Sequence, residues 1–165
     1  MSVGGGSSVS VLPRFASCTC LPQVIQKYMA KISGPLLDRI DLHIEVPAVK
    51  YKDLSSKETG ESSERIRERV VKAREIQSKR FRGRKEIYAN TDMQSREIRE
   101  FCKLDATGEE LLKMAITKLG LSARAYDRIL KVGRTIADMA CSAGIRPEHI
   151  SEAIQYRSLD RNLVV

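Results

Sequence analysis

The chain has 165 residues, 42% of them hydrophobic, which is enough to bury the core of one ordinary domain; aromatics at 5% and no tryptophan predict an aliphatic core. Four cysteines do not make a secreted disulfide framework at this length, and neither a membrane-length apolar run nor a signal-peptide pattern is present, so we expect a cytoplasmic protein. The net charge of +8 points to anionic partners.

The first part of the chain is predicted to hold only short elements. Residues 1–17 include a GGGSS run, which indicates a flexible tail or a non-native extension. Pro22 suits the first turn of a helix that continues to Ile32, and a brief helical turn is expected at 36–39. Residues 42–46 alternate apolar and polar side chains as a β-strand does. A polar linker is expected over 50–61.

The remainder of the chain is predicted to be helical. Periodicity, caps and breakers indicate five helices, at 62–82, 95–103, 109–119, 122–142 and 147–156. Gly83 and Gly120 stand where glycine commonly ends a helix, and Pro147 stands where proline commonly begins one.

The 62–82 helix carries most of the positive charge. Between residues 62 and 85 there are ten basic and three acidic residues, a surplus of seven. The candidates for nucleic-acid contact are Arg65, Arg69, Lys72, Lys79 and Arg80. The apolar face, which we expect to be buried, consists of Ile66, Val70, Ala73 and Phe81. The alternative is a solvated basic face, because charge runs usually face water and the only nearby aromatics are Phe81 and Tyr88.

Arg124 stands in the first turn of the next-to-last helix, with Ser122 as a suitable N-cap. It lies on the polar face, together with Arg128, Lys131 and Thr135. The helix dipole disfavours a cation there by about 0.3–1 kcal/mol. A bound anion would remove the conflict, because backbone N–H groups, dipole and guanidinium would all point at it. The alternative is a solvated arginine whose small penalty is screened by salt.

Three stretches carry a resemblance: ISGPLLDRIDLHIEVP at 32–47, LSARAY at 121–126 and IRPEHISEAIQYR at 145–157. In sequence, order and spacing they resemble the C-terminal part of the magnesium-chelatase-like AAA+ ATPases of the bacterial competence-protein type. The stretch TIADMA at 135–140 fits the same pattern. The match covers roughly residues 18–161. The resemblance implies a mainly α fold, in which a helical bundle, the AAA+ lid, follows a short helix–strand remnant of the nucleotide-binding core.

The resemblance also implies domain boundaries. The end of the AAA+ core would occupy 18–49 and the linker 50–61. The C-terminal helical lid domain would occupy 62–161, before a tail at 162–165.

Two arginines acquire roles from the resemblance. Arg39 matches the position of the arginine finger, which reaches the γ-phosphate held by a neighbouring subunit. Arg124 matches the second sensor, a lid arginine that contacts the phosphate of ATP. A planar, permanently charged guanidinium suits the charge that develops on a transferred phosphoryl group. From the residues alone, the simpler explanation for Arg39 is an ion pair with Asp38 or Asp41.

The family's ATP-binding loop and acidic magnesium motif precede the matched region and are not found in this sequence. We therefore expect the chain itself not to be an enzyme, and ATP and magnesium to belong to the full-length protein. It would serve as a lid and subunit-interface fragment that senses nucleotide state and supports ring assembly in a DNA-processing motor. Its partners would be the remainder of the AAA+ core, further subunits of a homo-oligomeric ring, and DNA, with no membrane.

Two alternatives come from other classes of protein. The first is an autonomous basic helical module that binds nucleic acid. The second is a protein-interaction bundle without a ligand.

The remaining reactive residues do not indicate a site. In the family a second cysteine pair lies upstream and four thiolates could hold zinc, but this sequence has only Cys18 and Cys20, so no metal site is predicted. Cys102 and Cys141 fall on apolar helix faces, as core cysteines do. The two histidines are isolated from any nucleophile or acid at catalytic spacing.

Overall fold

The structure is a computed structural model that describes residues 19–31, 34–37, 39–44, 46 and 60–157. The tail expected at 1–17, Cys18, all but the last two residues of the linker expected at 50–61, and the tail expected at 162–165 lie outside these residues, as does Asp38.

The fold is mainly α, as the sequence predicts. The helices, in chain order, are α1 (Pro22–Met29), α2 (Gly34–Leu37), α3 (Ser63–Arg80), α4 (Ser95–Phe101), α5 (Ala106–Leu119), α6 (Ala123–Met139) and α7 (Pro147–Gln155), with a 3₁₀ turn at Asn90–Asp92.

The strand expected over 42–46 is wrong for the residues that are described there. Leu42, His43, Ile44 and Val46 are irregular. The His43 backbone N–H donates to the Tyr156 carbonyl at 2.8 Å. A strand needs a ladder of such bonds to a neighbouring strand, and the described part of the chain contains no other strand to supply it.

Three helices begin at a side chain that accepts a backbone N–H. Ser62 Oγ accepts from Arg65 N at 3.5 Å, Asp105 Oδ1 from Gly108 N at 2.7 Å, and Ser122 Oγ from Ala125 N at 3.1 Å. The Asp105 cap starts α5 three residues earlier than the sequence analysis expected. At the other end of α5, Gly120 adopts a left-handed φ of 60°, as expected for a glycine that ends a helix.

The hydrophobic core lies around α6, which packs against α7 on one side and α3 on the other. It is mostly aliphatic, and its fully or nearly fully buried members include Met93, Leu112, Ile129, Leu130, Ala137 and Ile150. Gly133 sets the separation of α6 and α7, because a Cβ there would lie 3.0 Å from Ile150 Cδ1.

Only the C-terminal half of α3 joins this core. Ala73, Gln77 and Phe81 are buried, whereas Ile66 is 44% and Val70 46% exposed. The expectation of one continuous buried face is therefore wrong for the first half of α3. Helical spacing places these residues on a common face, but only the later turns of α3 reach α6.

A buried polar cluster joins α3 to α6. Asp138 is fully buried, and both of its carboxylate oxygens accept hydrogen bonds from the Arg80 guanidinium, at 2.7 Å on Oδ2. Asn90 Nδ2 donates to Asp138 at 2.8 Å and Arg134 Nε donates to it at 3.1 Å. Arg134 also donates to the Ser142 and Ala143 carbonyls, at 2.7 and 3.0 Å, beyond the end of α6.

The Asp138 cluster predicts a large effect of one substitution. Asp138→Ala leaves two guanidinium groups without their carboxylate in a buried place, so the free energy of unfolding should fall by about 3–5 kcal/mol. Urea unfolding followed by circular dichroism measures the loss. Glu110→Ala, on an exposed site of α5, is the control and should stay within about 0.5 kcal/mol of wild type. A loss below 1 kcal/mol for Asp138→Ala would contradict this account.

Candidate functional site

Arg124 occupies the second position of α6, where its side chain is exposed. The turn from α5 is closed by the left-handed Gly120, and Ser122 caps the new helix. The first turn of α6 contains no acidic residue. The positive end of the helix dipole therefore has no carboxylate of its own first turn to balance it, which favours an external anion.

The other three polar residues of this helix face make the following contacts within the fold. Arg128 is half-buried and forms an ion pair with Asp41. Lys131 Nζ donates to the Thr91 carbonyl at 2.8 Å, and partial burial lowers the pKa of this amine. Thr135 Oγ1 accepts from Asn90 Nδ2 at 3.0 Å. Arg124 is exposed, whereas Arg128, Lys131 and Thr135 are half-buried.

Arg39 is exposed at the end of a short turn, where its backbone N–H donates to the Leu36 carbonyl at 3.0 Å. The Asp41 carboxylate contacts Arg128 rather than Arg39. The sequence left open an ion pair between Arg39 and Asp41, and in the structure Asp41 forms its ion pair with Arg128 instead.

The segment that carries Arg39 is anchored to α6 and to the end of α7. Asp41 pairs with Arg128, the Ile40 carbonyl accepts from Arg157, and His43 bonds to Tyr156. Arg39 therefore lies two residues from a contact with the face of α6 that also carries Arg124.

The predicted nucleic-acid residues fall into two groups. Arg65, Lys72 and Lys79 are exposed along one side of α3, and Arg69 is exposed beside them but makes a bidentate pair with Glu61 at 2.6 and 2.7 Å. Arg80 is different, because its guanidinium points inward to Asn90 and Asp138. Its charge is compensated by Asp138 within the fold, so Arg80 does not belong to the exposed basic residues of α3.

A groove beside α3 was not anticipated from the sequence. Its volume is about 640 Å³, and it lies between the C-terminal half of α3 and the loop that follows. The lining residues are Val70, Val71, Arg74, Glu75, Ser78, Phe81, Arg82, Gly83, Arg84, Ile87 and Tyr88. The sequence offered one sign of this groove, Tyr88, which is the only tyrosine close to the basic segment and is 71% exposed in the structure.

The structure places one histidine and two cysteines in clearly different surroundings. His149 Nδ1 accepts the Arg146 backbone N–H at 3.1 Å at the start of α7. Cys102 is buried in the core, and this burial raises the pKa of its thiol to about 11. Cys141 is exposed just after α6, so the expectation of a core position is wrong there, because α6 ends at Met139.

Two absences concern the part of the chain that the structure describes. Among these residues, no three His, Cys, Asp or Glu side chains are grouped so as to hold a metal ion. No helix of the same residues has the length and apolar character needed to cross a membrane.

Comparison with known families gives two matches. Residues 60–157 match the family described as magnesium chelatase, subunit ChlI C-terminal, and residues 7–54 match the family described as magnesium chelatase, subunit ChlI. The resemblance stated from the sequence motifs is thereby confirmed.

Three curated proteins illustrate the similarity. The chain is 46% identical over 143 residues to competence protein ComM of Haemophilus influenzae, 42% over 146 to uncharacterized protein YifB of Escherichia coli, and 29% over 140 to uncharacterized protein Rv2897c of Mycobacterium tuberculosis. These alignments cover 86%, 88% and 85% of this chain but only 27%, 28% and 27% of the relatives. The chain thus spans just over a quarter of the length of the relatives that it matches.

The exposure of Arg39 and Arg124 predicts that neither is needed for stability. Arg39→Ala and Arg124→Ala should each change the free energy of unfolding by no more than about 0.5 kcal/mol. Arg134→Ala, on the same helix as Arg124, is the matched comparison and should cost about 3–5 kcal/mol, because it removes a buried partner of Asp138. Urea unfolding measures all three. If Arg39→Ala cost more than about 2 kcal/mol, Arg39 would be a structural residue and could not be assigned as a finger.

Proposed function

The chain belongs to the magnesium chelatase ChlI C-terminal family, and from this membership we propose that it forms the lid and subunit-interface portion of an AAA+ ATPase. In this role it senses the nucleotide state of the ATPase and supports assembly of a homo-oligomeric ring. ATP and magnesium are held elsewhere in the full-length protein, which we propose to be a DNA-processing motor. The similarity to a competence protein supports the last point.

The observation that carries the proposal is the position of Arg124. Arg124 is an exposed residue in the first turn of α6, where backbone N–H groups and the helix dipole also favour an anion. A phosphate of ATP provides both the charge and the acceptor oxygens that such a group binds. We assign Arg124 to contact with that phosphate.

Arg39 supports the second half of the proposal. It is exposed on a segment that is fixed by Asp41 and Ile40, so its guanidinium extends from an anchored backbone. An arginine presented outward in this way can reach a phosphoryl group held by the next subunit, where it stabilises the developing charge. We assign Arg39 as the finger that acts across the subunit interface.

The assignment of Arg39 predicts a specific result with the full-length protein. Arg39→Ala should leave nucleotide binding intact and lower hydrolysis by about a thousandfold, the scale typical of arginine fingers. When Arg39→Ala subunits are mixed with subunits whose own ATP site is disabled, activity should reappear, because a disabled subunit can still supply its Arg39 to the intact site of a variant neighbour. Arg124→Ala should instead weaken the response to nucleotide, since it removes a phosphate contact.

Two controls accompany this experiment. Arg99→Ala, an exposed arginine on α4, should leave hydrolysis unchanged. The isolated chain should hydrolyse no ATP above background, because the phosphate loop is not found in its sequence. Mixtures of these two inactive proteins that stay inactive would contradict a residue that acts across an interface. Turnover by the repurified isolated chain would contradict the lid-fragment proposal.

A second candidate function rests on a different observation. Arg65, Lys72 and Lys79 are exposed at seven-residue spacing, so they form one row along the side of α3. We propose that this basic row, with Arg69 beside it, contacts the phosphate backbone of a nucleic acid. Contacts of this type depend on charge rather than on base sequence.

The basic row predicts strongly salt-dependent binding. If it contacts three to four phosphates, log K for duplex DNA should fall against log[salt] with a slope of about −3, with little sequence preference. Replacing Arg65, Arg69 and Lys72 by Glu should abolish binding. Replacing Arg96, Lys113 and Lys118 by Glu changes the net charge equally at exposed sites of α4 and α5, and should preserve most of the binding. Fluorescence anisotropy at several salt concentrations measures both. Equal losses in the two variants would mean that only overall charge matters.

A further inference from the structure

We propose that the groove beside the C-terminal half of α3 binds single-stranded nucleic acid, with the ring of Tyr88 as a stacking platform for a base. This inference deepens the second candidate function and rests on it. It assigns a particular site, and a preference for single strands, that the basic row alone does not provide.

The first argument is that the tyrosine ring is exposed on a fixed backbone. Tyr88 is 71% exposed, yet its backbone N–H donates to Asp92 Oδ2 at 3.0 Å, and the next N–H does so at 2.9 Å. Gly83 and Glu86, with φ of 80° and 64°, fix the path of the loop that leads to it. Because the backbone that carries Tyr88 is held in place, only the side-chain torsions of the tyrosine need to be ordered when a base stacks on its ring.

The second argument is the charge of the groove. Arg74 and Arg82 are exposed at its wall, and Glu75 is the acidic residue in the lining. Arg84 also lines the groove, but it is paired with Glu97 at 3.5 Å and Glu100 at 2.5 Å. Among the residues that line the groove, Arg74 and Arg82 outnumber Glu75, which leaves one unmatched positive charge for a phosphate.

The third argument is the apolar part of the lining. Val70 and Val71 are 46% and 47% exposed and line the groove together with Tyr88. Such an arrangement, a ring and apolar side chains between cationic ones, is the combination with which proteins bind unpaired nucleotides. In a duplex the faces of the bases are already stacked, so Tyr88 would have no base face to contact. An acidic peptide would pair with the arginines but would not offer successive flat rings.

The test compares Tyr88→Ala and Tyr88→Phe in the full 165-residue chain. The probe is a fluorescein-labelled dT 12-mer at low salt, followed by fluorescence anisotropy, with a 12-base-pair duplex as a second probe. Tyr88→Ala should weaken binding of the single strand by about 5- to 150-fold, the usual effect of removing one stacking ring. Tyr88→Phe should retain the affinity within about threefold, because it keeps the ring. Tyr126→Ala, at another exposed tyrosine, on α6, is the matched control and should bind as wild type does.

The possible outcomes separate this inference from the function on which it rests. Loss with Tyr88→Ala, rescue by Tyr88→Phe and a smaller effect on the duplex would support the stacking site. If Tyr88→Ala bound the single strand normally while reversal of Arg65, Arg69 and Lys72 abolished binding, the groove would be refuted and the basic row would stand. If wild type bound neither probe, both proposals would fall. If a labelled oligo-glutamate peptide bound in place of the dT 12-mer and required Tyr88, the groove would be a peptide site instead.

Discussion

The buried carboxylate of Asp138 is the interaction on which the arrangement of the helices depends. It receives hydrogen bonds from Arg80 of α3, from Arg134 of its own helix and from Asn90 of the 3₁₀ turn. Two guanidinium groups share one carboxylate, and the carbonyls of Ser142 and Ala143 accept the remaining Arg134 donors. Because an unpaired charge is costly in a buried place, this geometry tolerates little displacement of α3 relative to α6.

This constraint bears on both proposed functions. Arg124 stands at the start of α6, and the basic row and the groove belong to α3 and its following loop. The Asp138 cluster joins the two helices, so a force applied to Arg124 by a phosphate would move α3 with α6 rather than bend one against the other. In the proposed motor, the lid would thus carry a nucleotide-dependent movement to the surface that contacts nucleic acid.

Much of the fold could be predicted from local sequence, and the errors have physical causes. The end of α5 and the start of α6 follow from Gly120 and Ser122, whose conformational preferences act within a few residues. The alternation over 42–46 shows only that these residues could line a sheet, because a strand also needs a partner that local sequence does not reveal. In the same way, the spacing of Ile66 and Val70 defines a helix face, but not whether another element covers it.

The candidate site was harder to predict, because a count of charges does not distinguish their surroundings. The exposure of Arg124 could be predicted from its place off the apolar stripe, whereas Arg80 becomes an interior residue only through Asp138, 58 positions later. Of the ten basic residues in 62–85, Arg69, Arg80 and Arg84 are matched by carboxylates, at Glu61, Asp138, and Glu97 with Glu100. The charge available to a polyanion is therefore smaller than the sequence surplus, and it is concentrated at the basic row and at the wall of the Tyr88 groove. The basic row and the groove lie on two sides of the later turns of α3. A single strand with one base stacked on Tyr88 could therefore continue along α3 toward Lys79 and Lys72. There its phosphates, rather than its bases, would contact the protein.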